Sequence, residues 1–358
     1  MNQQRRGLIR GLLAAVSFGL SAPLISTVST TGSPLSLAGL LYGGSGVALL
    51  VARSLLPNRG QESPVRRQDL GPLALLTLIG GIAAPLCLIG GLRLLSAGSA
   101  SLLLNLEAIL TMAIAVLVGR EHLSRQGAAA AALIVAGAMV IGGGSTTGAT
   151  PEGTLLIALA CLGWGIDNNI SQRLSIRDPL QIALFKSIGA SLPMLTLAAV
   201  TGARFPQPSE VLIILIIGAV GYGLSIWLDL LALRDLGAAR EAVVFATAPF
   251  VGAGFAVAIL RESLNINLIG AAALMMAGIA LLLKEDHAHW HRHDALWHEH
   301  KHLHSSDGQD PHHAHRHEPD QRDATRAELP FWHSHPHQHE PIEHTYAHLS
   351  DEHHRHTH

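Results

Sequence analysis

The chain has 358 residues, 49% of them hydrophobic, and a formal net charge of −2. Those averages join two unlike stretches: residues 1–284 hold 35 of the 36 glycines, whereas residues 285–358 hold 22 of the 23 histidines and 14 of the 26 acidic residues. The first stretch is too apolar for an ordinary soluble domain, and nothing in the charge balance suggests a nucleic-acid partner.

About twenty consecutive apolar residues cross the hydrocarbon core of a bilayer as a helix, because lipid leaves the backbone to satisfy its own hydrogen bonds. Hydropathy predicts ten such spans, at 8–27, 35–56, 72–92, 97–118, 126–143, 153–172, 179–200, 211–231, 237–259 and 266–283. Arg5, Arg6 and Arg10 ahead of the first run imitate a secretory signal peptide. No small-residue cleavage site closes that run and nine spans follow, which predicts an uncleaved first helix. Pro23, Pro85, Pro193 and Pro249 fall in spans one, three, seven and nine, where each removes a backbone donor and permits a kink. Gly39 and Gly43, then Gly137, Gly142 and Gly278, allow helices to approach closely. Cys87 and Cys161 both lie inside spans and imply neither a disulfide framework nor a metal site.

Ionisable groups inside a span are costly and mark function by default. Glu107 stands mid-way along span four, Asp167 in span six, Lys186 in span seven and Asp229 late in span eight. Trp164, Asn168 and Ser171 share one face of span six, with Asp167 at its edge and Asn169 beside it. Glu107, Asp167, Asn168 and Asn169 are therefore candidates to line a central cavity, where a carboxylate binds a cationic substrate or carries a coupling proton. The alternative is that Lys186 pairs with Asp167 or Asp229 and fixes helix packing. Arg120–Glu121 and Arg261–Glu262, at span boundaries, read as helix-end anchors, and His122 as interfacial.

Lys and Arg favour the cytoplasmic loops. An N-terminus inside places 14 basic residues of the first stretch on that side and only Arg93, Arg204 and Arg261 outside, and an even span count sends the tail into the cytoplasm.

The two halves repeat. Leu92–Arg93 through Gly119-Arg120-Glu121-His122-Leu123 aligns without gaps on Leu233–Arg234 through Leu260-Arg261-Glu262-Ser263-Leu264 at an offset of 141, and the match runs on to Ala136–Gly137 against Ala277–Gly278. Ser17-Phe18-Gly19-Leu20-Ser21 similarly answers to Cys161-Leu162-Gly163-Trp164-Gly165. Each repeat holds five spans; because five is odd, the copies cross the membrane in opposite senses, the arrangement that lets two halves exchange conformations about a central site. The predicted fold is all-α integral membrane, ten transmembrane helices in two inverted five-helix repeats, divided as 1–143, 144–284 and a disordered tail, 285–358.

The duplicated unit, Gly163-Trp164-Gly165 and the Arg-Glu ends of spans four and nine resemble the EamA-type family of the drug/metabolite transporter superfamily over roughly residues 7–284. The resemblance implies a ten-helix bundle in the bacterial inner membrane, both termini cytoplasmic. It implies transport of amino acids, sugars, metabolites or metal ions without selecting among them.

The tail changes class. Histidines recur at His287, His289, His291 and His293; at His298, His300, His302 and His304; at His312, His313, His315 and His317; at His333, His335, His337 and His339; and at His353, His354, His356 and His358. Acidic, Pro and Ser residues lie between, with too little apolar content for a core, so no fixed structure is expected. Neutral imidazoles bind borderline divalent ions, and the absence of Cys argues against copper(I) and against a closed structural zinc site. Zinc, nickel or cobalt is the expected tail ligand; no cofactor is required. A purification tag would be one contiguous run, unlike these spaced clusters.

The reading is a secondary transporter exporting a small solute by alternating access, with a divalent transition-metal ion favoured by the tail. The rivals are an amino-acid or metabolite exporter regulated by metal and a membrane-anchored metal buffer that transports nothing. No nucleophile–base constellation or nucleotide-binding glycine loop suggests an enzyme. Expected partners are the solute or ion, the lipid bilayer and, as a homodimer, a second copy of the chain.

Overall fold

A computed structural model describes residues 3–55, 63–118, 125–143, 150–174, 177–236, 241, 244–283, 288–293, 296–304, 331–339 and 342–347. Arg120, Glu121, His122, His287, His312, His313, His315, His317, His353, His354, His356 and His358 lie outside these residues.

Helices occupy all ten predicted spans, in order. They are α1 (Gln3–Val28), α2 (Pro34–Leu55), α3 (Leu70–Leu76, Thr77–Ala83 and Ala84–Leu92), α4 (Ala97–Leu103 and Leu106–Leu117) and α5 (Arg125–Gly142). The second set is α6 (Pro151–Leu174), α7 (Pro179–Val200), α8 (Pro208–Gly218, Ala219–Leu224 and Ser225–Leu236), α9 (described as Ala248–Ala258) and α10 (Ile266–Leu283). Seven of the helices among the described residues are individually long and apolar enough to cross a membrane. The perimeter exposes large apolar side chains, including Val47, Leu78, Leu117, Val200, Leu212 and Ile266, which a bilayer would solvate. Inside, a core of Leu41, Leu88, Leu103, Ile134, Ile157 and Met194 runs through both repeats, and a second cluster around Leu49, Leu76 and Leu184 fills one end.

Neither α3 nor α8 is uniform. The middle of α3, Thr77–Ala83, and of α8, Ala219–Leu224, winds as π-helix, and the two stretches overlap when the 141-residue offset is applied. Helix four is interrupted by a turn at Leu104–Asn105, and span nine by a turn at Ala246–Thr247, again at nearly matching positions. Pro249 explains the second break: it has no N–H, and it sits at the first turn of the resumed helix, where none is needed. In proteins built from inverted repeats, helices broken at corresponding places in the two halves typically line a central binding site.

The repeat is also visible in packing. A methyl added at Gly137 of α5 would stand 2.9 Å from Ala271 O of α10, and one at Gly278 of α10 would stand 2.8 Å from Ala130 O of α5. Both pairs, 130/271 and 137/278, are separated by 141, so α5 and α10 meet reciprocally about a pseudo-two-fold axis. Glycine at both places lets the backbones touch.

In the tail, β1 (Ala288–His293) pairs antiparallel with β4 (Ile342–Ala347), and β2 (Leu296–His304) with β3 (Phe331–His339). The physical reason is in the spacing: His at every second position is the period of a strand, and Trp290, Trp297, Phe331 and Trp332 add strand-favouring aromatics. His298, His300 and His302 stand directly opposite His337, His335 and His333.

Candidate functional site

Five ionisable side chains meet in the bundle, drawn from α4, α6, α7, α8 and the segment leading into α9. Glu107 lies in the first turn after the break in α4, where the free N–H groups of a helix start favour negative charge. Asn168 of α6 donates to Glu107 Oε1 at 2.9 Å and reaches Thr111 Oγ1 at 3.4 Å. Asn169 donates to the Thr111 carbonyl at 3.1 Å and to Gly165 O at 2.8 Å. Both asparagines thus face α4.

Asp167 faces the other way. It is buried, bonds directly to the buried Lys186 ammonium, and accepts from Ser171 Oγ at 3.4 Å. Of the two partners the sequence left open for Lys186, the structure selects Asp167. The carboxylate lies against Gly80: a Cβ there would come within 2.4 Å of Asp167 Oδ2, so only glycine leaves it room. Gly80 serves the site a second way. In the π-helical stretch Ala84 N–H bonds to Ile79 O, so the next donor in register is Pro85, which has none. The carbonyl of Gly80 accepts instead from Tyr42 OH and Trp164 Nε1, each at 3.1 Å. Trp164 is therefore a helix-to-helix strut, and its ring packs edge-on to Phe18 at 5.7 Å. Phe18 in turn meets Tyr222 and Phe245, and Tyr42 meets Tyr222, giving an aromatic wall beside the acids.

Asp229 of α8 comes within hydrogen-bonding reach of Glu241, a residue that hydropathy passed over because it opens an apolar span. The signal was available: Asp229 lies just before and Glu241 just after the predicted gap between the hydropathy spans 211–231 and 237–259, so the sequence alone sets them at similar depth. The groups form one electrostatic cluster, since Glu107 feels Asp229, Asp167 and Lys186, and Glu241 feels Glu107. Among the described residues no three His, Cys, Asp or Glu side chains converge as a metal site.

At the bundle ends the charges are structural. Glu262 accepts from the backbone N–H of Ala97 at 2.7 Å and of Gly98 at 2.8 Å, capping the start of α4. Arg93 Nε donates to Ser29 O at 2.8 Å past the end of α1, Arg10 pairs with Asp235 at 2.6 Å, and Arg177 with Asp69 at 2.8 Å.

The EamA-like transporter family matches residues 5–143 and again residues 151–284, the two five-helix units just described. The chain belongs to the EamA-like transporter family. Within it, an uncharacterized transporter of Methanothermobacter thermautotrophicus is 28% identical over 293 residues, 77% of this chain and 85% of that one. A crystal structure, of a protein given no further description, superposes with a TM-score of 0.58 at 18% identity, covering 78% of this chain and 97% of that one, a likeness of fold alone. The EamA-like match ends at residue 284, ahead of the His-rich tail.

Proposed function

We propose that this EamA-like chain is a secondary transporter that exports a small cationic solute across the bacterial inner membrane by alternating access. A divalent transition-metal ion, nickel, cobalt or zinc, is the favoured cargo, moved against protons, with both termini in the cytoplasm. The observation that carries the reading is the composition of the cluster: four carboxyl groups, the buried Asp167 and Glu241 and the half-buried Glu107 and Asp229, accompany one ammonium, Lys186. An anionic cargo would be repelled there, while a cation or proton offsets the excess. Glu107, with Asn168 beside it, is the oxygen ligand offered to the cargo; Asp167 is held by Lys186.

The tail supports the metal. Three His–His register pairs recur at every second position of the β2·β3 ladder, and imidazole is a ligand that borderline divalent ions prefer. Metal held there raises the ion concentration at the cytoplasmic mouth.

In everted vesicles carrying the full chain, nickel, cobalt or zinc uptake is expected, and Glu107→Gln is expected to abolish it. Gln keeps an acceptor for Asn168, so unchanged metal flux in that variant overturns the reading. One observation favours a second reading, an amino-acid or metabolite exporter regulated by tail-bound metal: no three-ligand group converges among the described residues. Amino-acid flux that responds to metal only when residues 287–358 are present would select it.

A further inference from the structure

Four buried side-chain polar atoms among the described residues have no hydrogen-bond partner: Ser101 Oγ, Asn105 Oδ1, Tyr222 OH and Glu241 Oε1. Only the last belongs to an acid. Glu241 is 8% exposed, and its side chain lies within hydrogen-bonding reach of Asp229. A carboxylate can only accept, so two carboxyl groups bond to one another only when one of them carries a hydrogen. Among the described residues, each cation near the pair is already bonded elsewhere. Lys186 of α7 is already bonded to Asp167 of α6, Glu107 of α4 adds a like charge, and Arg10 of α1 is bonded to Asp235 further along α8. Arg234 and Arg240, adjacent in sequence, have side chains outside the described set.

We propose that Asp229 and Glu241 form a proton-binding site, one hydrogen shared between the two carboxyl groups. Loading adds a proton from water on the open side to the ionised pair and makes one O–H bond. Release breaks that bond and returns the proton to water on the other side. At the 141-residue offset Asp229 answers to Leu88 and Glu241 to Ala100, so one repeat alone carries the site. Its coupling to cargo rests on the proposed function: a proton on the pair lowers the negative charge around Glu107 and weakens cation binding there, so proton and cation occupy the cluster in turn. The proton site itself does not depend on that coupling.

The full chain in lipid vesicles, without cargo, tests it by infrared difference spectroscopy between acid and alkaline pH. A protonated-carboxyl C=O stretch is expected to vanish as pH rises. In Glu241→Gln and in Asp229→Asn that band is expected to be lost or to move its midpoint by about one pH unit or more, the size expected when a close ionisable neighbour is removed. Glu262→Gln should keep the wild-type band. A band with unchanged midpoint in both variants overturns the proposal. In parallel, an imposed pH gradient should accelerate nickel flux by the wild type and by Glu262→Gln, and fail to do so in the two acid variants. If nickel moves in no sample the cargo reading falls, and the infrared band still decides the proton site.

Discussion

Lys186 and Asp167 are opposite charges, both buried and in contact deep in the bundle, as Arg177 and Asp69 are at its end. Removing a single partner leaves the other charge stranded in low dielectric, so Lys186→Met should destabilise the protein by about 3–5 kcal/mol. Lys186→Met combined with Asp167→Leu should recover most of that loss, read as the thermal unfolding midpoint in detergent; a double variant no better than the single would deny the pair its structural role. Gly80→Ala tests the same spot from the other side. Its methyl would overlap Asp167, and overpacking of this kind costs about 1–3 kcal/mol, so the unfolding midpoint should fall while zinc binding by the tail is unaltered. At the bundle end, Glu262→Ala removes acceptors from two N–H groups at the start of α4, a loss of about 0.5–2 kcal/mol in the same assay.

On the level of whole helices, the interruption before α9 is the feature most open to manipulation. Pro249→Ala restores an N–H and removes the ring that bars a continuous helix, so it should straighten span nine and slow transport while leaving the chain folded, checked by flux beside circular dichroism. The metal binding proposed for the tail needs neutral imidazole. Histidine ordinarily takes its proton near pH 6.5, so zinc affinity measured by calorimetry should hold above about pH 7 and fall as pH drops through about 6. The spans themselves were legible in the sequence because lipid demands long apolar runs, and the described helices other than α9 fall within about five residues of the predicted boundaries. The π-helical stretches and the break at Leu104–Asn105 were not, since they arise from how helices lean on one another. Lys186 was legible as costly, yet its partner was not, because two acids lay at plausible depth. Glu241 hid at the edge of an apolar run. The tail strands were masked by polarity, although the two-residue period that produces them stands in the sequence.

For the molecule as a whole, duplication dictates the topology: five crossings per copy turn the second copy over. Reporter fusions at the N-terminus and after residue 284 should both report cytoplasm; a periplasmic C-terminal reporter beside a cytoplasmic N-terminal one would refute an even number of crossings. The α5–α10 contact through Gly137 and Gly278 shows how closely the two backbones mirror one another. The acids do not obey that mirror. Glu107, Asp229 and Glu241 answer to Ala248, Leu88 and Ala100. Under the alternating access proposed above, an exchange of shapes between the halves would return the scaffold to an equivalent form while its charges arrived in a different dielectric setting. An idle bundle working that way would have a preferred resting side, set by side chains rather than by backbone, and relocating a single carboxylate to Ala248 would be the smallest edit able to tilt it back toward even odds.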